Sequence, residues 1–455
     1  MSLVFFDWLC IVLLILFFNE ACVVNLYILD AIRWLKHKPK RPYSEDKAVL
    51  SNLYIIIPVL DEMALVESAV DYFVDLADKY PENKPRICFV TTAREYLMNG
   101  SDHNTVTLLE QKIASQDLPV LHFHYHRDGG FMADQIRFAL EQIKKKESVD
   151  FLVGIYNVDS RPGELEFSKI RDLQQPHERY VLQQYAFYEN RRLSGRYSLL
   201  SEACLWQTRW SLGFELGRVR HNQRLKGFFK NLPDTLFLRG LRFVLQKFNY
   251  TIGHGIFFNS RILEDQHPYP IHFQNEDAYW GYELALRQIE IHPLQTLETA
   301  HFTSCIRTYI KQQAVWFNGP LSAFNYYFYY FGRHKKPLSR SFVGLLTSLK
   351  LFMHAVYWIF SPYAVLFLLP FLLYHNRLGI VAVCIYIVSL VAYLWIPNKI
   401  IAYHFPERKL PKSSFFLGLV FYLLHTFGPL VCCWKLVYVK KEDRKSKTKK
   451  MAYEY

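Results

Sequence analysis

Asn275-Glu276-Asp277-Ala278-Tyr279-Trp280-Gly281 sets two carboxylates side by side, and about thirty-five residues later comes Gln312-Gln313-Ala314-Val315-Trp316, followed by apolar runs. An acidic pair in a charged region, joined to a Gln/Trp element at the edge of a membrane, suggests sugar-transfer chemistry at a bilayer surface. A hydroxyl attacking a sugar carbon needs a general base within hydrogen-bond reach. A departing diphosphate needs its charge neutralised, most economically by a divalent cation on hard oxygen ligands. An Asp at a strand end can hold such an ion, and Asn157-Val158-Asp159 is placed that way.

The elements that must position these groups follow from apolar periodicity. Buried strands are expected at 52–59, 86–91, 120–125 and 151–156, and helices at 64–79, 105–115 and 132–145. Strand and helix alternate as in an α/β domain with a mainly parallel sheet. Ligands of such sheets gather at the carboxyl ends of the strands, here residues 58–62, 91–95 and 157–159 on one rim. A further helix is expected over 278–288, and acids at its start would be favoured by the helix dipole alone, so capping and catalysis are compatible roles for Glu276 and Asp277.

With 51% hydrophobic and 17% aromatic residues the chain is too apolar for an ordinary soluble enzyme, so a membrane part is expected. Residues 3–29 are long enough for one span, and Arg33, Lys36, Lys38, Lys40 and Arg41 after it place the following domain in the cytoplasm by the positive-inside bias. Segments 351–374, 378–396 and 415–439 predict three further spans. That number leaves the basic tail outside, against the same bias, unless 342–374 crosses twice or the last segment, broken at Gly428-Pro429, is re-entrant.

The expected layout is an N-terminal transmembrane helix (1–30), a basic juxtamembrane linker (31–47), the α/β domain (48–308), interfacial helices (309–350), a transmembrane region (351–439) and a basic tail (440–455). Much of the formal charge of +13 lies in the linker and the tail, where it suits anionic lipid headgroups, and no nucleic-acid-binding motif accompanies it. Eight cysteines without CxxC spacing indicate neither a disulfide framework nor a zinc site.

Four motifs in this order carry a resemblance: Ile55-Ile56-Ile57-Pro58-Val59-Leu60-Asp61-Glu62, Tyr156-Asn157-Val158-Asp159-Ser160-Arg161-Pro162, Glu276-Asp277, and Gln312-Gln313-Ala314-Val315-Trp316. From about residue 52 to 316 the chain resembles the membrane-associated family 2 glycosyltransferases, whose nucleotide-sugar-binding domain has the GT-A fold. The resemblance implies Asp277 as general base with Glu276 beside it, and Asp159 as ligand of Mg²⁺ or Mn²⁺ and of the donor diphosphate. It further implies a donor pocket of Pro58, Asp61, Glu62, Thr91, Thr92, Asn157, Gln312 and Gln313. On the acceptor side it implies Gly253, His254 and Gly255 of the loop Tyr250-Thr251-Ile252-Gly253-His254-Gly255, and Trp316 stacked on a sugar. Residue by residue there are bland readings too: Asp159 as a turn cap, Trp316 as an interfacial anchor beside the aromatic run 324–331, His254 as a packed histidine.

Three positions depart from the family pattern. Asn157 stands where the Asp-x-Asp motif has its first acid, Val315 where the Q(Q/R)xRW element has Arg, and Met132, after Gly129-Gly130-Phe131, near where relatives carry a lysine. Arg307, Lys311, Arg127 and Arg137 are the nearest cations in sequence. The resemblance thus implies an inverting, metal-dependent transferase in the membrane, facing the cytoplasm. It would move a sugar from a nucleotide sugar, UDP-linked by preference, to a membrane-proximal glycan or lipid-linked acceptor, as in polysaccharide synthesis. The alternatives are a single-sugar polyprenyl-phosphate glycosyltransferase and a degenerate binding subunit of a polysaccharide-export complex.

Overall fold

The computed structural model describes residues 3–37, 52–100, 103–127, 131–175, 179–263, 273–333, 338–374 and 379–438. Gly129, Gly130, most of the expected basic linker and the basic tail lie outside the described residues.

Strand β1 (Leu53–Pro58) is apolar on both faces, and its alternation sends Tyr54 and Ile56 into one core and Leu53, Ile55 and Ile57 into another. It lies inside a sheet, between β2 (Arg86–Thr92) and β4 (Leu152–Ile155), with β3 (Val120–Tyr125), β5 (Tyr180–Glu189), β6 (Ile256–Asn259) and β7 (Glu290–His301). Among the described residues seven strands run in the order β3-β2-β1-β4-β6-β5-β7, with β6 antiparallel to both neighbours and the other pairs parallel. The first four strands stand almost where alternation predicts them.

Helices α1 (Leu3–Lys36), α2 (Met63–Asp78), α3 (Arg94–Asn99), α4 (Thr105–Gln116), α5 (Met132–Lys146) and α6 (Phe167–Asp172) belong to the first half. On α2 the residues Leu65, Val66, Ala69, Val70, Phe73, Leu76 and Ala77 form one buried stripe against a sheet face. On α5 the stripe Ala133, Ile136, Ala139, Leu140 and Ile143 covers the opposite face.

Between β5 and β6 the chain forms α7 (Leu199–Arg209), one π-helical turn (Trp210–Leu216), α8 (Gly217–Phe229) and α9 (Leu236–Leu245). Periodicity gives no sign of α7, because Ser201 to Arg209 are buried all round. Its polar groups bond inward instead: Glu202 accepts from the Ser414 amide at 2.7 Å and from Asn398 at 3.3 Å, and Arg209 donates to the Tyr393 carbonyl.

The remaining helices are α10 (Glu276–Leu286), α11 (Ile306–Leu321), α12 (Ala323–Arg333), α13 (Leu338–Tyr374), α14 (Gly379–Leu394), α15 (Ile396–His404), α16 (Phe415–Leu424) and α17 (Phe427–Tyr438). Among the described residues four helical stretches are long and apolar enough to cross a membrane: Phe6–Lys36, Arg340–Tyr374, Gly379–His404 and Phe415–Tyr438. The expected boundary at residue 350 falls inside α13, which is continuous, so 342–374 does not double back. The last stretch is divided between α16 and α17.

Membrane and sheet parts are fastened together. Asp30 of α1 pairs with Arg220 at 3.6 Å and with Arg224, and Gln295 of β7 donates to the carbonyls of Trp34 and His37 at the end of α1.

Candidate active site

Beyond the end of β4 the chain turns through Asn157 to Ser160. The Ser160 amide donates to the Asn157 carbonyl at 3.0 Å, and the Arg161 guanidinium donates to the carbonyls of Val158 and Ser160 at 2.9 Å each. This turn leaves Asp159 buried, 7% exposed, on the wall of a cavity. The cavity measures about 380 Å³, and Asn157, Asp159, Gly253, His254, Glu276, Asp277, Gln312, Gln313 and Trp316 all line it. Nine of the residues singled out from the sequence are thereby brought together. Met132 and Val315, two of the departures, are on the same wall.

Asp277 stands in the first turn of α10. Its Oδ1 accepts from the Ala278 amide at 2.7 Å, and its own carbonyl accepts from Thr251 Oγ1 at 2.7 Å, which ties the loop before β6 to the helix start. A Cβ on Gly253 would lie 3.3 Å from Asp277 Oδ2 and 3.5 Å from Met132 Cε, so a side chain there would crowd the carboxylate. Enclosure raises the Asp277 pKa, partly offset by the Ala278 amide and by His254. A base with a raised pKa accepts protons more readily.

His254 is buried and its Nδ1 bonds Glu298, a fully buried carboxylate on β7. Burial lowers the histidine, but Glu298 outweighs it and the net shift is upward. His254 is thus held from behind by Glu298 and lines the cavity in front. Gly255 lies just behind this wall at φ +67, where a Cβ would meet the Gln184 carbonyl at 2.6 Å. It belongs to the sheet and does not line the cavity.

The Gln/Trp element lies on α11, which packs on α10 where a Cβ at Gly319 would stand 3.3 Å from the Ala278 methyl. Asn318 donates to Asn275 at 3.3 Å across the same seam. Gln313 is buried and faces Gln207 of α7 at 3.4 Å, whereas Gln312 and Trp316 are partly exposed to the cavity. Its far wall is α13, one of the helices long and apolar enough to cross a membrane, through Leu351, His354 and Trp358.

Pro58, Asp61, Glu62, Thr91 and Thr92 do not line this cavity. Around them Glu95 of α3 is the centre of a buried knot, accepting from the Asp61 amide at 2.6 Å, the Thr105 amide at 3.1 Å, Thr105 Oγ1 at 2.7 Å and Asn99 at 3.0 Å. The Glu62 amide donates to Thr105 Oγ1 at 2.9 Å, and Asp61 holds φ +53. Thr91 Oγ1 is within 2.7 Å of His122 Nε2 and 2.9 Å of His124 Nδ1.

Several cavity residues had escaped sequence reading. Trp210 donates to the Tyr250 hydroxyl at 3.1 Å, and that hydroxyl donates to Glu215 at 3.4 Å. Glu215 belongs to the π-helical turn, and burial pushes its carboxyl up to about 7. π-helical turns recur at functional sites. The one sequence signal was a charge inside the apolar run Trp210-Ser211-Leu212-Gly213-Phe214-Glu215-Leu216.

For a divalent ion the chain offers the Asp159 carboxylate and the Asn157 amide oxygen. Among the described residues no cluster of three or more His, Cys, Asp or Glu groups is arranged to hold one. Mg²⁺ is commonly bound by one or two carboxylates and completed by substrate phosphates, so this donor set fits an ion that arrives with a diphosphate.

No protein-family model matches the chain, and no curated protein sequence does. Among solved structures it is similar to a mannosyltransferase from Pyrobaculum calidifontis in complex with GDP-Man and Mn²⁺, at 14% identity and a TM-score of 0.50, over 94% of this chain and 99% of that one. It is also similar to residues 1–349 of S. aureus TarS, at 10% identity and a TM-score of 0.37, over 86% of this chain and 93% of that one. The first likeness is one of fold: an α/β, GT-A-like domain with a mostly parallel sheet, joined to helices long enough to span a membrane.

Proposed function

We propose that this chain is a membrane-associated glycosyltransferase of the family 2 type. It moves a sugar from a nucleotide sugar to a membrane-proximal glycan or lipid-linked acceptor, with inversion. The observation that carries the reading is the convergence of Asp159, Asp277 and Trp316, from three separate elements, on one cavity whose far wall is a membrane helix.

Asp277 takes the proton from the attacking acceptor hydroxyl, and its raised pKa suits that task. One base and a direct displacement suffice for inversion. Asp159 and Asn157 would hold the divalent cation, which when bound neutralises charge on the departing diphosphate. Val315 and Met132 supply no cation, and His254, backed by Glu298, is the positively biased group on the same wall. Trp316 offers a flat ring for an acceptor sugar. UDP-sugars are the first donors to try and GDP-mannose the second, since the similar mannosyltransferase was solved with GDP-Man and Mn²⁺. By the positive-inside bias the domain faces the cytoplasm.

The test is nucleotide release from UDP- and GDP-sugars by detergent-purified protein with Mg²⁺ or Mn²⁺, beside Asp277→Asn. Turnover with one donor that the variant abolishes supports the reading. Folded protein that releases no nucleotide, with or without acceptor lipids, would leave the binding-subunit alternative.

A further inference from the structure

The cavity does not end at the sugar-transfer groups. Its membrane side is closed by Leu351, His354 and Trp358 of α13 together with Trp210, Glu215 and Tyr250. Three cations, from α8, the segment after α9 and α13, stand beside residues that line this end. Arg218, at the start of α8, lies over the rings of Phe214 and Trp210 at 5.2 and 6.0 Å. Lys247 precedes Phe248, whose ring centre is 6.4 Å from that of His354. Lys350 precedes Leu351 and donates to the carbonyls of Gln246 at 3.0 Å and Phe243.

Among the described residues the side chains of Arg218 and Lys247 take part in no hydrogen bond or ion pair. Both lie within electrostatic reach of His354. Partial burial and Arg218 together lower the Lys247 pKa, as expected of like charges held near each other. The carboxylates in reach are Glu20 and Glu215, and Glu20 is shared with a third cation, Arg209. The balance favours an anion.

The depth of the cluster in the membrane is set by α9. None of its residues is buried, Leu236, Phe237 and Val244 are 87%, 76% and 70% exposed, and Lys350 ties its end to the spanning helix. An apolar face of this kind beside Arg239 and Arg242 suits the headgroup boundary. Below it α13 exposes Met353, Tyr357 and Phe360.

We propose that Arg218 and Lys247, backed by His354, seat the phosphate of a lipid-linked sugar acceptor. Its chain lies along α13 and its sugar reaches past Trp210 and Trp358 toward Asp277. The orientation of the sugar rests on the transferase reading above, and the phosphate seat does not. Guanidinium and ammonium groups at headgroup depth are the usual partners of lipid phosphates.

The probe is a radiolabelled long-chain polyprenyl phosphate, retained on the full chain in phosphatidylcholine nanodiscs. The expected result is retention roughly tenfold above that of the matching polyprenol, cut about tenfold by Arg218→Gln and by Lys247→Gln and kept by Lys247→Arg. Arg239→Gln, which alters a charge on the same surface, leaves it unchanged. Lys247 is the more exposed of the two, so its variants carry the test if Arg218→Gln does not fold. Equal retention of polyprenol, or normal retention by folded variants, overturns the seat. Displacement by equimolar phosphatidylglycerol would make it a bulk headgroup site, and displacement by millimolar inorganic phosphate a soluble-phosphate site; either overturns the lipid-acceptor assignment. If retention behaves as expected while no donor is turned over, the transferase reading fails and the phosphate seat stands.

Discussion

The rim of the sheet has two halves that use polar groups in opposite ways. Beyond β1 and β2, the Asp61 and Glu62 amides are spent on the knot of Glu95 and Thr105, Thr91 on His122 and His124, and Thr92 on the Arg94 amide at 3.3 Å, and Gln135 of α5 seals the strand ends by donating to the carbonyls of Val59 at 2.6 Å and Val90 at 2.7 Å. Beyond β4 and before α10, Asp159 and Asp277 face a void. The first half binds its own amides and hydroxyls, so removal of Glu95 should be felt as stability; the second leaves carboxylates facing a cavity, so their removal should be felt as activity.

Four experiments would break or sharpen that contrast. The largest effect belongs to Asp277→Asn, which should lower turnover about 10³-fold with an unchanged unfolding midpoint, since general bases contribute about 10²–10⁴. A midpoint that fell with activity would assign Asp277 to the helix start instead. Next, Glu95→Ala leaves the Asp61 and Thr105 amides without their buried acceptor and should cost about 3 kcal/mol in denaturant unfolding, while the folded fraction keeps its kcat. Loss of donor affinity without loss of stability would make this half the base pocket after all. Thr91→Val, losing one hydroxyl between two histidines, should cost about 1 kcal/mol by the same measurement.

The last effect is a slope. Because Glu215 is held at about 7 against an ordinary 4.5, the folded chain keeps a proton that the unfolded chain loses. Stability should therefore be fully present below 4.5, fall as pH rises through that window, and level off above it. Glu215→Gln should flatten the midpoint-against-pH curve there; an unchanged curve would place the effect elsewhere.

How much of this was legible depended on what the environment did to the pattern. Strands β1 and β4 read directly because each is apolar throughout, β2 and β3 because apolar residues dominate or alternate in them between polar turns, and α2 and α5 because one face is wet. Strand β5 carries Gln183 and Gln184, fully buried and bonded to His254, Pro162 and Thr296, so its polarity hid its burial. The cavity residues Asp159, Asp277 and Trp316 were legible through motif resemblance. Glu215, Glu298 and His354 were not, since their roles come from elements far apart in sequence. The membrane helices were found by length and apolarity, but the inner boundary of α13 was not, because Lys350 breaks its apolar run while its side chain turns to the end of α9.

Gly428 has no side chain because Gln313 stands where one would be: a Cβ there would overlap that of Gln313. The second half of the last membrane stretch is thereby pressed backbone-first against the helix that carries Trp316. The cavity wall carried by α11 and the backbone of α17 are therefore one piece: any shift of α17 is a shift of α11, with no intervening domain to absorb it.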